Sequence, residues 1–228
     1  MNTPLRTLCI LSMLNITAPS AIAQEREEPR TLFGDADITG GFISVAPKYT
    51  NVLGDYALLA NVSGGIILND RWNIGATFAT SGTVIKNPLY EELLRTRSTA
   101  VLDGLEFRYG YAGVLVEPVL QPRSVVHLKL PVAIGFGWAA YSYPSGNNSS
   151  SDNSTNQRTR TDGQSFVVIE PGAELEVNIV KSFRLGVGGS YIYTTDLELP
   201  VTPKDALRNV TARCSLTFVF GSSNDVRN

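Results

Sequence analysis

The chain holds a single histidine, His127, and two cysteines, Cys9 and Cys214, among its 228 residues. One histidine leaves a nucleophilic hydrolase only one imidazole base, and the cysteines are too few for a disulfide framework. No stretch of about 18 consecutive apolar residues occurs, which excludes a transmembrane helix. Charge is sparse at 18%, and the formal net charge is −2, which argues against nucleic acid as a partner. "SDNSTN" offers oxygens without the spacing or the glycine of a calcium loop. "SGTV" and "GGS" lack the context of a phosphate loop. No cofactor and no metal site is expected.

What is present begins with a secretory signal. Arg6 supplies the positive region, Leu8 to Ile16 a short apolar core, and "SAIAQ" (Ser20 to Gln24) a small-x-small cleavage site after Ala23. Cys9 lies inside this segment, and "RTLC" lacks the small residues that precede a lipidated cysteine. Cleavage leaves Cys214 alone, so no intramolecular disulfide forms. Residues 1–23 are thus read as signal, 24–35 as a polar leader, 36–220 as one β domain and 221–228 as a tail.

The β domain announces itself in "EPGAELEVNIVKSFRLGVGGSYIYTTD", Glu170 to Asp196. Successive side chains of a strand point to opposite faces, so a two-beat pattern means two surfaces. Ile169, Pro171, Ala173, Leu175, Val177 and Ile179 share one face; Glu170, Gly172, Glu174, Glu176 and Asn178 share the other. After a turn at Val180-Lys181-Ser182, Phe183, Leu185, Val187, Gly189, Tyr191 and Tyr193 alternate with Ser182, Arg184, Gly186, Gly188 and Ser190. This reads as a β-hairpin with one apolar and one polar face.

Six further two-beat segments bring the strand count to eight. They are Ala36–Lys48, Asp55–Leu68, Trp72–Thr80, Asp103–Val119, Ser124–Tyr143 and Asn209–Phe220. "PLYEELLRTR" between the third and fourth predicts a helical turn. Pro144 to Gln164 is polar and of low complexity, and is read as a loop. Connections after strands two, four and six are short; those after three, five and seven are long; "TNVLG" is a brief exception. Short turns at one end and long loops at the other are the layout of an outer-membrane barrel.

Three features put the apolar face toward lipid rather than into a soluble periplasmic barrel. Aromatic residues sit at two heights, about one crossing of 9–11 residues apart: Trp72, Phe183 and Phe220 near the periplasmic end, Trp138, Tyr191 and Tyr193 near the outer end. The polar faces carry both signs, Glu106, Glu170, Glu174 and Glu176 against Arg108, Lys129, Arg184 and Arg213, and buried charges must be paired. The apolar rows carry no charge through their central stretches. The fourth strand is read with Leu105, Phe107, Tyr109 and Tyr111 on the lipid side.

The chain resembles the small eight-stranded outer-membrane β-barrel proteins of Gram-negative bacteria. The signal segment, the hairpin "PGAELEVNIVKSFRLGVGGSYIY" and the closing "CSLTFVF" carry the likeness, over about Ala36 to Phe220. The resemblance implies an all-β, eight-stranded antiparallel up-and-down transmembrane barrel in the cell outer membrane. It implies membrane lipids as partners, and recognition of the aromatic-ended final strand by the outer-membrane assembly machinery. Two departures stand out: "GSSNDVRN" follows Phe220, and Pro131 and Pro171 interrupt strands, where each removes a ladder donor. The expected function is non-enzymatic, structural or surface-interacting through the long loops Ser81–Leu102, Pro144–Gln164 and Thr195–Arg208. A narrow porin-like channel is the alternative and a lipid-modifying enzyme the third reading. His127 follows a short turn and is placed at the periplasmic end, away from outer-leaflet substrate, so it is read as a polar lumen residue. Glu174 and Glu176 are read as part of an ion-pair network rather than an acid–base pair.

Overall fold

The computed structural model describes residues 36–97, 105–144 and 158–221. The expected signal segment, the leader through Asp35, residues 145–157 of the polar loop and the tail beyond Gly221 lie outside the described residues. In chain order the elements are β1 (Ile38–Val45), β2 (Lys48–Val52), β3 (Asp55–Leu68), β4 (Trp72–Ser81), α1 (Pro88–Arg97), β5 (Glu106–Leu120), β6 (Val126–Lys129), β7 (Val132–Pro144), β8 (Arg158–Val180), β9 (Phe183–Thr194) and β10 (Asn209–Phe220).

Ten ladder segments make eight barrel strands. Val45 of β1 faces Val62 and Leu216, and Lys48 of β2 faces Leu59 and Arg213, so the register is unbroken across Ala46 and Pro47. Lys129 of β6 faces Val119 and Glu174, and Val132 of β7 faces Val116 and Pro171, again without a shift across Leu130 and Pro131. Each break carries a proline, whose missing N–H removes a ladder bond without displacing the strand. All pairings are antiparallel, and β10 closes onto β1, which leaves the ring without an edge.

The ring has a definite stagger. Starting at Gly41, the paired positions run through Ile66, Ile74, Val116, Val132 and Pro171. Continued in register through Tyr191 and Val210, the line returns to the first strand at Asn51, and 51 − 41 = 10 residues of shear. Ten rises of about 3.3 Å against eight spacings of about 4.8 Å tilt the strands by about 40°, in the range that closes a barrel.

The turns explain the hairpins. Asn69 and Asp70 both have positive φ, 52° and 57°, and the Arg71 N–H donates to the Leu68 carbonyl at 2.9 Å. That is a type I′ turn, whose twist matches the flanking strands. Leu53 and Gly54 turn the same way at the opposite end, with φ of 56° and 88°. Together with the Gln121–Val125 and Lys181–Ser182 connections, Asn69–Arg71 defines a short-turn end, where both described termini also lie.

Three expectations need correction. The first strand does not stop at Lys48 but resumes to Val52, because Pro47 interrupts it without ending it. The polar run to Gln164 is not loop throughout: Arg158 onward belongs to β8, paired with β7 from Pro144 downward. On β5 the faces are exchanged. Phe107, Tyr109 and Tyr111 are buried inside the ring, and the outward row is Gly110, Ala112, Val114 and Val116. "PLYEELLRTR" forms a helix, with Asn87 as N-cap (Tyr90 N–H to Asn87 Oδ1, 3.3 Å) and Pro88 in the first turn, where its missing donor costs nothing.

Candidate functional site: the barrel interior and its two mouths

Alternation sends one set of side chains inward and the other outward. Leu175 is 53% exposed, whereas its neighbours Glu174 and Glu176 are 1% and 0% exposed. The same holds for Ile134, Phe136 and Trp138 outward against His127 and Lys129 inward. The outer wall is therefore an apolar belt. Phe183, Phe218 and Phe220 cluster at its short-turn rim, with ring centroids 5.1 and 6.2 Å apart, and Trp72 opens β4 at the same end. Trp138, Tyr191 and Tyr193 face outward near the other rim. Tyr49 and Tyr56 join them, stacked at 5.3 Å, and the Arg208 guanidinium lies 4.9 Å from the Tyr193 ring.

The inside divides by height. Toward the short turns lies a charge network. Lys129 Nζ contacts Glu174 Oε1 and Glu176 Oε1, both at 2.9 Å. Arg213 Nε meets Glu174 Oε2 at 2.6 Å, a close charge contact rather than an aligned hydrogen bond. Ser215 donates to Glu174 Oε1 at 2.6 Å, and His127 Nε2 lies 2.8 Å from Glu176 Oε2. Gly186 and Gly188 make room for this: a Cβ on Gly186 would sit 2.3 Å from Glu174 Oε1, and one on Gly188 would sit 2.7 Å from the Glu174 Cα. A step higher, Glu170 accepts from Lys48 Nζ at 2.8 and 2.9 Å, from Ser190 Oγ at 2.6 Å and from the Tyr111 hydroxyl. Lys48 also donates to the Tyr111 oxygen at 2.8 Å.

Toward the long connections the filling is apolar. Phe107 packs on Tyr141 with centroids 5.1 Å apart, and Tyr141 on Tyr90 at 4.2 Å. Leu59, Ile85, Phe166, Ile192, Leu197 and Leu207 complete the cluster. Several of these come from the connections, not the strands: Ile85 and Tyr90 precede or lie on α1, and Leu197 and Leu207 belong to the 195–208 segment. Polar bonds lock the two connections over the mouth. Asn87 Nδ2 donates to the Tyr141 hydroxyl at 2.6 Å and to the Val201 carbonyl at 3.1 Å, the Tyr141 hydroxyl lies 2.7 Å from Thr202 Oγ1, and Tyr90 hydrogen-bonds to Asp162.

Of the eight charges assigned to the lumen from sequence, Lys129, Glu170, Glu174, Glu176, Arg184 and Arg213 face inward. Glu106 and Arg108 do not. They pair with each other at 3.0 Å on the outward face of β5, four and two residues beyond the Gly110–Trp138 pairing, with Arg108 37% exposed. The face exchange on β5 moves them out. Reading the sequence missed Lys48, Tyr111 and Glu117, all buried inside. Glu117 accepts from Asn73 Nδ2 at 3.1 Å. The signal for Glu117 was available: it shares odd parity with Phe107, Tyr109 and Tyr111, and a charge on that row marks it as the lumen side.

No protein-family model matches the chain, and no curated protein matches it. Solved structures do. Neisserial surface protein A aligns with a TM-score of 0.51 at 10% identity, over 79% of this chain and 96% of that one. A major outer membrane protein from Thermus thermophilus aligns with a TM-score of 0.51 at 9% identity, over 79% and 99%. Ail, the attachment invasion locus protein of Yersinia pestis, aligns at 17% identity over 79% and 97%, with a TM-score of 0.45. A water-soluble barrel has no use for an uncharged outer belt between aromatic rims. The chain is an integral β-barrel of the outer membrane, with the eight-stranded antiparallel fold of that group.

Proposed function

We propose that the protein is a non-enzymatic, non-conducting barrel that holds a rigid platform at the extracellular surface and acts there by contact. In this orientation the short turns are periplasmic and the long connections extracellular. The observation that carries the reading is the plug: residues from two extracellular connections fill the upper lumen and are hydrogen-bonded to each other and to the wall. Below it lie the charge network and a smaller apolar cluster of Phe42, Ile67, Leu115, Ala133 and Val219. The platform presents apolar side chains to solvent, Val84, Leu89 and Val201. Val201 sits at φ 51°, a strained conformation for a β-branched residue that the Asn87 bond to its carbonyl helps to hold. Contact surfaces are built from such fixed, exposed apolar groups.

Catalysis has little support. His127 Nε2 is held by Glu176 and Nδ1 has no hydrogen-bond partner, so no serine hydroxyl is paired with the imidazole. Outer-membrane lipids are the partner of the belt, and the final strand ending at Phe220 is the element offered to the assembly machinery. The extracellular partner of the platform is a macromolecular surface. Purified protein in planar bilayers tests the closed lumen. Absence of stable single-channel steps is expected; reproducible conductance from the wild type replaces this reading with the narrow porin-like channel.

A further inference from the structure

Below the charge network the barrel opens into a periplasmic vestibule of about 800 Å³. Its lining includes Arg123, Lys181 and Arg184 against one acid, Asp70. Three positive and one negative group give a local charge of +2, on a chain whose formal charge is −2. The other lumen cations are matched: Lys48, Lys129 and Arg213 each lie within 2.9 Å of a carboxylate oxygen. Arg184 is matched more loosely. Its Nη1 pairs with Glu176 Oε2 at 3.6 Å, beyond hydrogen-bond distance, and its Nε–H is buried without a hydrogen-bond partner. Among the described residues Arg123 and Lys181, exposed on their turns, make no ion pair. Val180 and Phe220, both exposed, close the outer side of the same cavity. Phe220 belongs to the periplasmic aromatic rim, so the vestibule reaches the depth at which lipid headgroups lie.

We infer that this vestibule is an anion site for a phosphate group, with Arg184 at its floor and Arg123 and Lys181 at its rim. A planar guanidinium with unfilled donors fits a tetrahedral oxyanion, and two flanking cations neutralise it. The apolar rim favours a headgroup whose acyl chains remain in the periplasmic leaflet; free phosphate shares the oxyanion chemistry. The site goes beyond the extracellular platform and does not depend on it.

The test uses the full mature chain folded in a maltoside detergent free of phosphate, with the Arg184 side-chain Nε–H followed by ¹⁵N-resolved NMR. Its resonance is assigned by its loss in Arg184→Gln. Phosphatidylglycerol should shift it saturably, and diacylglycerol should not. Inorganic phosphate is the second arm: a saturable shift with lipid alone identifies a headgroup, and one with both identifies any phosphate oxyanion. In an Arg123→Gln/Lys181→Gln double variant, whose changes lie on exposed turns, affinity should fall at least about tenfold, the size of one lost charge-assisted contact. Absence of a saturable shift in both arms, or unchanged affinity in the folded double variant, overturns the assignment.

Discussion

In the half of the lumen toward the long connections Phe107, Tyr141 and Tyr90 pack ring against tilted ring; in the half toward the short turns Lys129 sits between Glu174 and Glu176. Both fillings occupy one tube of constant strand number, yet they close it by different physics. The apolar half closes by volume. Its interactions are short-ranged and undirected, so what matters is that no void remains. The charged half closes by balance. Each ion there has left water, and it is tolerated only because a counter-ion and hydrogen bonds stand at fixed distances. The upper half also borrows side chains from the connections, whereas the lower network is built from the wall alone. The upper half thus ties surface to core, and the lower half ties strand to strand around the ring.

The sharpest way to break this comparison is a substitution that keeps shape and removes charge. Glu174→Gln preserves volume, yet leaves Arg213 and part of the Lys129 charge buried without compensation. A loss of about 3–5 kcal/mol is expected, the cost of breaking a buried pair from one side. Unfolding in guanidinium followed by the fluorescence of Trp72 and Trp138 reads it. Adding Arg213→Met to the same chain should recover most of the loss, since a pair removed together leaves no orphan. A loss under about 1 kcal/mol for Glu174→Gln would place the network with surface ion pairs.

The lower half was legible in the sequence where strands alternate without interruption. Glu174, Glu176, Arg184 and Arg213 lie on unbroken two-beat runs, and period two fixes their face once any one member is placed. Lys48 was hidden because it reads as the last residue of a strand with blurred alternation, and only the register against β3 and β10 shows that the ladder resumes after Pro47 and continues to Val52. The upper half was not legible for a deeper reason. Phe107, Tyr109 and Tyr111 look like a lipid-facing row, because an apolar row beside a charged one carries no label saying which side is lipid. What turns them inward is a plug drawn from Ile85, Tyr90, Leu197 and Leu207 on two connections, and no local periodicity encodes a contact between segments so far apart. Glu106 and Arg108 follow the same error, since they stand beyond the belt where outward charges meet water.

A smaller effect sharpens the tie between connection and core. Asn87 caps α1 through Oδ1 and, through Nδ2, joins the Tyr141 hydroxyl to the Val201 carbonyl. Asn87→Ala removes the cap and both bonds, and should cost about 0.5–2 kcal/mol. Hydrogen exchange should show where: amides of α1 and of residues 195–208 lose protection, while those of the β8–β9 hairpin do not. Equal loss in both regions would mean that plug and charge network unfold as one unit.

The smallest effect expected is in the apolar half itself, and it completes the contrast with Glu174→Gln. Leu59 is fully buried on β3 within the upper cluster. Methionine has nearly its volume and greater flexibility, so it fills the same space from a slightly different path. Leu59→Met should therefore cost less than about 1.5 kcal/mol. It should leave the bilayer silent, because the plug closes by volume and the volume is kept. The same unfolding assay, on the same preparation, places the two shape-conserving substitutions side by side. If Leu59→Met costs as much as Glu174→Gln, the upper cluster is a fixed jigsaw, and the division of the lumen into a tolerant and an exacting half is wrong.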